Sequence, residues 1–526
     1  MDISMSNIRQ VAFFFVTMSS AQAFSAQWDA SASVITMIEY SDNVEQTERG
    51  EEDLILSLTP GFGLTGKGKR ADLNLRYDVR GQHYVGNTKD HEFFHNFLGR
   101  FDYRAIPNRL NFNAEVVVEQ ELEDLSRGLI PDYVTGSDNL ITVGRYRLGM
   151  DYLQPLANYG QLSFLAGVFL TDESGGNQDT KGYDFQIAGQ DGSEFKQGLW
   201  NFSYSQGYQK PNDAEYSFTQ LADATLGYGL NQHLALMMNF FWEENDIQES
   251  VRQENLDSAS WGPGLRFSPS DRTSFEINYN FSLKETNEDY WGGKLSWVPT
   301  SRTSLKASYG KRFFGDAYDV QFNHRIKRLS NTLTYQESIE SYSTEVYNAS
   351  TNNTGSLICP AGPVLDLTQC EFSNEVNPDV APDKQVITFY TPPPAVGDEL
   401  YLSKAANWSS TLRTGKSTYT LNLFYTQRLY FTEVKDEDDY GLNFNWGIKI
   451  GRKTGLQLGA QWRELEESLN DSGFVSDETE QRYNINLNHK LSARSFMVLG
   501  YLYTERDGST SDYDENRLQL SYQVVY

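Results

Sequence analysis

The sequence predicts an all-β fold, a single large antiparallel barrel of about 24 strands, and three observations carry that expectation. From Gln27 onward, segments of about ten residues alternate apolar and polar side chains, so each would hold one face in an apolar medium and the other in water. The breaks between segments are alternately very short and rather long. Tyrosine and tryptophan gather toward segment ends, at Tyr84, Tyr103, Tyr152, Trp242, Trp297 and Trp462.

Residues 1–26 read as a secretory signal peptide: Arg9, the apolar run VAFFFVTM from Val11 to Met18, then SSAQAFSA with small residues suited to cleavage after Ala23 or Ala26. That run is too short to span a membrane as a helix. The barrel is then expected over residues 27–526. Its ladders are regular, as in Leu73, Leu75, Tyr77 and Val79 against Asp72, Asn74, Arg76, Asp78 and Arg80, or Leu442, Phe444, Trp446 and Ile448 against Asn443, Asn445 and Lys449. A helical period would scatter these charges around the whole helix, so strands fit and helices do not. The short breaks are GKGKR (66–70), IPNR (106–109), QPLANYG (154–160), QDGSEFKQG (190–198), NQH (231–233), SPSDR (268–272), VPTSR (298–302), IKR (326–328), RTGKS (413–417), GRKTG (451–455) and LSARS (491–495). They hold the Gly, Pro, Asn and Ser that tight turns require. Eleven such turns imply twelve hairpins with both chain ends on one side. The final strand, NRLQLSYQVVY, places Leu518, Leu520, Tyr522, Val524 and Tyr526 on one face, and is expected to close the sheet against the first strand with an aromatic at the periplasmic rim.

A soluble β-sandwich would also alternate, with its apolar face inward. Unequal breaks at the two ends, aromatic girdles and the number of strands favour a bacterial outer-membrane barrel, with short periplasmic turns and long extracellular loops. A mean hydropathy of −0.55 argues against helical spans, while 14% aromatic residues are too many for a disordered acidic chain. The net charge of −27 falls in clusters: Asp42 to Asp53, Glu243 to Asp257, Glu433 to Asp439, and Glu464 to Glu480. Nucleic acid is excluded as a partner, because phosphate binding needs clustered Lys and Arg. Placed in the long breaks, the acids would face outside a Gram-negative cell, where divalent cations would bridge them to lipopolysaccharide phosphates. The expected surroundings are therefore outer-membrane lipid and lipopolysaccharide.

No serine or histidine constellation for hydrolysis is present, and HEFFH (His91 to His95) matches a zinc-protease pattern only in letters. On a strand the two imidazoles would stand roughly 13 Å apart, too far to share one metal. No enzyme activity, metal or cofactor is expected. If the apolar ladders face lipid, then Arg76, Arg80, Arg100, Arg104, Arg145, Arg147, Arg266, Lys294, Lys306 and Lys449 line the lumen, with Asp72, Asp78, Asp102, Glu115 and Asp151 among them. Two readings follow: cross-strand ion pairs stiffening a wide wall, or a basic track for an anionic polymer, since arginine forks suit carboxylates. A ring of that size has a backbone diameter of roughly 48 Å.

Three stretches, IEYSDN (Ile38 to Asn43), LSLTPGFGLTGKGKRADLNLRYD (Leu56 to Asp78) and YWGGKLSWVPTSRTSLKASYGKRFFGDAY (Tyr290 to Tyr318), resemble a known family. It is that of the outer-membrane barrel proteins accompanying exosortase (PEP-CTERM) exopolysaccharide systems, and the resemblance runs through most of the mature chain. It implies a barrel forming or supporting a passage for exopolysaccharide, working with periplasmic export components, and it supplies no catalytic residue. The alternatives are a surface scaffold or receptor barrel without transport, or a general porin. The segment at about 337–399 is longer than the corresponding family loop. Its two cysteines, Cys359 and Cys370, are the only ones in the chain, and in an oxidising compartment they form a disulfide or remain two free thiols. The segment is expected to be an extracellular loop that folds over the mouth or stands away from it. Protease added to intact cells should cut near Glu249; cleavage seen only after the periplasm is opened would reverse this topology.

Overall fold

The structure is a computed structural model describing residues 27–526 apart from 124–131, 136, 175–178, 193, 195–196, 213–215, 248–255, 285–287, 342–355, 361–370, 374–383, 389–399, 432–433, 470–473 and 510–511. The signal peptide lies outside the described residues. Twenty-four strands form one closed antiparallel ring in which each strand pairs with its neighbours in sequence. The first, Gln27–Ser41, pairs on one side with Asp53–Lys67, from Gln27 opposite Lys67 to Ser41 opposite Asp53. On its other side it pairs with the last, Tyr513–Val525, from Ser33 opposite Val525 to Ser41 opposite Arg517. Beyond that register the Tyr526 N–H donates to the Ala32 carbonyl at 2.7 Å. Every one of the eleven short breaks is a turn between paired strands. At 300–303 and 326–329 the turn is two residues long, and at 106–109 Asn108 takes a left-handed φ of 59°, which asparagine tolerates.

The alternation settles which face is apolar. Leu56, Leu58, Phe62, Leu236, Phe240, Leu265, Ile277, Leu518 and Leu520 are exposed on the outside, whereas inward neighbours such as Glu39, Ser57, Thr65, Asn239 and Glu276 are buried. A sandwich would show the reverse. Such a continuous apolar band is insoluble unless lipid covers it. A strand of 14 residues, such as Ala71–Tyr84, reaches about 35 Å when tilted by about 40°, enough to cross a hydrocarbon core and emerge above it. Trp297 is exposed near the short-turn rim, the interfacial position expected of it, and Trp28, Tyr159 and Tyr228 are exposed at the same rim. Tyr84 departs from the girdle expected of it. It points inward and is fully buried with Val44, Ile55 and Val134, because position 84 has the parity of Arg80 and Gln82.

Three features of the outer end differ from the sequence reading. Two outer connections are as short as the inner turns: Arg312 passes to Gly315 through Phe313 and Phe314, and Tyr430 to Lys435 through 431–434. Much of the acidic sequence lies in the wall rather than in the breaks, with Glu243 in Leu234–Ile247, Glu437 and Asp439 in Lys435–Lys449, and Glu478 and Glu480 in Phe474–Lys490. These strands keep alternating past the lipid, where their inward positions can be acidic. The wall strand Leu329–Ser341 also continues through Glu337 to Ser341, which lies opposite Leu400, so the insertion begins at 342. Within the insertion, Ser356–Pro360 pairs with Glu371–Ser373 and with Lys384–Thr388. Cys359 lies opposite Gln385 in that small sheet; Cys370, and with it the choice between a disulfide and two free thiols, lies outside the described residues.

An arginine placed at lipid-facing Leu236 should lower unfolding free energy by about 2 to 4 kcal/mol in a denaturant titration, whereas Asn443→Arg should cost far less. Asn239, which has the same parity as the lumen face, is not a permissive control: its amide is buried and bonded to Thr225 and Glu276. Equal losses at Leu236 and Asn443 would show that the faces are assigned wrongly.

Candidate functional site

Inside the outer half of the wall a belt of charges runs across consecutive strands. Arg428 lies opposite Glu437 and donates to it at 2.5 Å. Arg463 holds Asp439 with two nitrogens at 2.9 Å each and lies opposite Glu480. Glu480 in turn lies opposite Arg506 and accepts from Arg482 at 2.7 Å, and Arg506 donates to Glu478 at 2.9 Å. On the closing strands Arg517 donates to Glu515, and Glu39 accepts from Arg80. Arg428, Arg463, Arg482, Arg506 and Arg517 each hold a carboxylate of their own strand or of a neighbouring one. Most of these side chains are almost wholly withdrawn from water, which makes the pairing obligatory: a lone buried charge is strongly unfavourable.

The segment 132–139, between Leu110–Leu122 and Leu140–Pro155, folds inward onto this belt. Asp132 receives two hydrogen bonds from Arg517, at 3.1 and 2.9 Å, and lies 3.8 Å from Arg482. Thr135 takes a bond from Arg517 and gives one to Glu515. Val134 packs on Ile55 and Tyr84, whose hydroxyl donates to the Val134 carbonyl at 2.8 Å. The Tyr133 ring lies 5.6 Å from the Arg80 guanidinium. Burial alone would raise the Asp132 carboxyl, but Arg517 and Arg482 outweigh it and hold the group well below its ordinary value. The strands docked against the segment are Asp53–Lys67, Ala71–Tyr84, Glu92–Ile106, Phe474–Lys490 and Tyr513–Val525. It therefore ties the seam of the ring from within. On the other side of the mouth, Ile247, Leu256, Phe313, Leu400, Leu402 and Phe431 form an apolar cluster gathered from non-neighbouring connections.

Nearer the short-turn rim the inward face changes character. Asn422 lies opposite Asn443, Thr420 opposite Asn445, and Gln457 opposite Asn486. Between the belt above and Lys449 below, the inward positions from Ser417–Tyr430 through Phe474–Lys490 are uncharged.

The ten cations expected to line the lumen all lie on the face opposite the apolar band, and most have acidic partners. Arg76 is paired with Asp78, Arg100 with Glu115, and Arg104 with Asp72. Arg145 bonds both Glu119 and Glu121; Arg147 bonds Asp184. Arg80 meets Glu39, Arg266 meets Glu276, and Lys294 stands 3.9 Å from Asp223. Lys306 and Lys449 are exposed. The cations most deeply engaged, Arg428, Arg463, Arg482, Arg506 and Arg517, escaped the sequence reading because acidic runs surround them. Their inward parity was the available signal. His95 sits on the lipid-facing parity of Glu92–Ile106, bonded to the Tyr77 hydroxyl at 2.8 Å, while His91 precedes that strand and contacts His83.

A closed antiparallel ring, an apolar outward band and a polar interior define the class: a transmembrane β-barrel of the outer-membrane type. No family model matches the chain, and no curated protein does. Among solved structures it is similar to the siderophore receptor PirA from Acinetobacter baumannii, at 9% identity and a TM-score of 0.43, covering 95% of this chain and 80% of that one. It is also similar to the FrpB iron transporter from Neisseria meningitidis (F5-1 variant), at 10% identity and 0.43, covering 94% and 82%. A third is a loop-deletion mutant of OmpT, an outer membrane protein of Vibrio cholerae, at 10% identity and 0.31, covering 95% and 100%.

Replacing Arg517 by Met should destabilise the barrel by about 3 to 5 kcal/mol, because Asp132 and Glu515 keep their charges without their partner; loss of heat-modifiable gel migration at lower urea would register it. The pH response has a definite sign. Asp132 is depressed in the fold, so its contribution is fully present above the ordinary carboxylate value of 3.8 and fades only as pH falls below that. Proteolysis of the 132–139 segment should therefore be flat from pH 5 to 8 in the parent and rise in Asp132→Asn.

Proposed function

We propose that this barrel forms, or helps form, a passage for exopolysaccharide across the outer membrane of a Gram-negative bacterium. The observation that carries the reading is the ring itself, 24 strands around a lumen-facing wall that is polar along its length. A ring of that number is wide enough for a hydrated polymer rather than for small solutes alone. Support also comes from the resemblance of three stretches to barrels of exosortase-linked polysaccharide systems. The paired lumen charges favour a wall that is stiff and nearly neutral over a basic track. A second reading, a scaffold or receptor barrel that does not conduct, is favoured by the inward-folded segment 132–139 at the mouth.

Ion conductance separates the two. Purified protein in a planar bilayer should give large current steps; correctly inserted protein without steps would leave the scaffold. The charge pairing makes a further prediction for the conducting form. Converting Arg76, Arg100 and Arg145 together to Gln frees Asp78, Glu115, Glu119 and Glu121, so the reversal potential in a salt gradient should move toward cation preference. A movement toward anions would contradict the pairing.

A further inference from the structure

We infer that the inner wall between the charge belt and the periplasmic rim binds an uncharged, hydroxyl-rich chain, a neutral saccharide, through an array of amides. The inference deepens the passage reading and rests on it. The array is set by register. Asn445 and Asn484 both lie opposite Gly459, Gln457 lies opposite Gly447, Asn488 opposite Gly455, and Asn486 opposite Gly500. Each amide thus faces a residue with no side chain, and the space left is used. A Cβ at Gly500 would meet Asn486 Oδ1 at 2.5 Å, and one at Gly459 would collide with the amide of Asn484. Asn484 and Asn486 thus lie along the wall over their glycines instead of standing into the lumen.

Two further observations point to a ligand. Asn422, Gln457 and Asn488 are at least nine-tenths buried, yet Asn422 Oδ1, Gln457 Oε1 and both polar atoms of Asn488 have no hydrogen-bond partner among the described residues. Beside them Asn443, Asn445 and Asn484 are half-exposed. A hydroxyl-rich chain laid on the half-exposed amides would meet their donors and acceptors directly, and a turn of the buried amides beside them would bring atoms that have no protein hydrogen bond to give up. The second observation is the charge pattern. Arg428, Asp439, Arg463 and Arg482 bound the zone above and Lys449 bounds it below, while no charged side chain points inward between them on those strands. An amide offers a donor and an acceptor to each hydroxyl and discriminates against neither sign. Neighbouring strands repeat this offer about every 4.8 Å, close to the length of one pyranose unit, so successive sugars meet equivalent partners and none is held tightly. That suits movement along the wall better than a single strong site would.

The test uses the full chain folded in detergent, titrated calorimetrically at physiological ionic strength. Maltoheptaose is the neutral probe and an oligogalacturonate of equal length the anionic one. Maltoheptaose should bind more tightly than the oligogalacturonate. The variant Asn443→Ala/Asn445→Ala/Asn484→Ala should weaken it about tenfold, and the isosteric Asn445→Asp/Asn484→Asp, which removes donors without changing shape, should weaken it as well. The isosteric pair gives the answer if the alanine variant fails to fold. Tighter binding of the oligogalacturonate, no binding of maltoheptaose, or variants that bind like the parent would each overturn the amide array. The passage is judged separately by conductance: inserted protein that does not conduct removes the passage, whereas a conducting barrel that ignores maltoheptaose removes only the array.

Discussion

The structure depends first on closing the ladder. In lipid a strand edge has no water to satisfy its N–H and C=O groups, and each unpaired group is costly enough that an open sheet is excluded. The whole chain is therefore committed to the pairing of its first and last strands. That seam is the one place where strands adjacent in space are remote in sequence, from Ser33 opposite Val525 to Ser41 opposite Arg517. Every other pairing in the ring joins consecutive wall strands, mostly across short connections and once, between Leu329–Ser341 and Leu400–Arg413, across the insertion. The seam must be found across the entire chain, and side chains reinforce it at its outer end. Ser41 donates to Glu515 at 2.7 Å, and the Asp42 carboxylate accepts from the backbone and side chain of Asn516.

The segment 132–139 follows from the same constraint. Arg517 and Glu515 sit on the last strand, Glu39 on the first, Tyr84 and Arg80 on the third, and Asp132 and Val134 contact this group from above. A loop closing on the seam strands adds contacts that exist only when the ring is shut. Ion pairs suit the task better than apolar packing, because a slip of one residue in the seam would turn Arg517 toward lipid and deprive buried Asp132 of its closest cation. The belt extends this register control through Arg506, Arg463 and Arg428, each holding the neighbouring strand's carboxylate.

Much of this was legible in the chain itself, and the boundary between what was and was not is physical. Alternation gave the strand count and all eleven turns, since a two-residue period between Gly- and Asn-rich breaks has few other readings. Inward parity gave the faces of Arg76 and Arg100. Parity does not say whether a charge faces water or another charge. Arg100 meets Glu115 because the strands pair with those positions opposed, which the sequence implies but does not state. The acidic runs at 436–439 and 464–467 looked like exposed loop because charge density outweighed their alternation, although Asp439 and Leu465 are buried and face each other. The inward fold of Asp132 to Asn139 had no sequence signal at all, because its partners lie on strands that only the closed ring brings to it, from Ile55 and Tyr84 to Arg482 and Arg517.

On the strands from Ser417–Tyr430 through Phe474–Lys490 the outer and inner halves of the wall then have different physics for one reason. At the outer half the strands emerge from lipid and need register control, which charges supply by pairing with one another. Charges used in this way are no longer available to a passing ion or polymer, since moving one leaves its partner buried alone. Lower down, within the span of the membrane, the apolar outer face already fixes register through the lipid itself. There the inward positions carry no such duty and can be uncharged, and Asn422, Asn443, Gln457 and Asn486 occupy them. An amide at such a site costs less to leave unpaired than a charge does, and it can exchange partners without stranding one. The wall of these strands is thus rigid where it is ionic and adaptable where it is neutral.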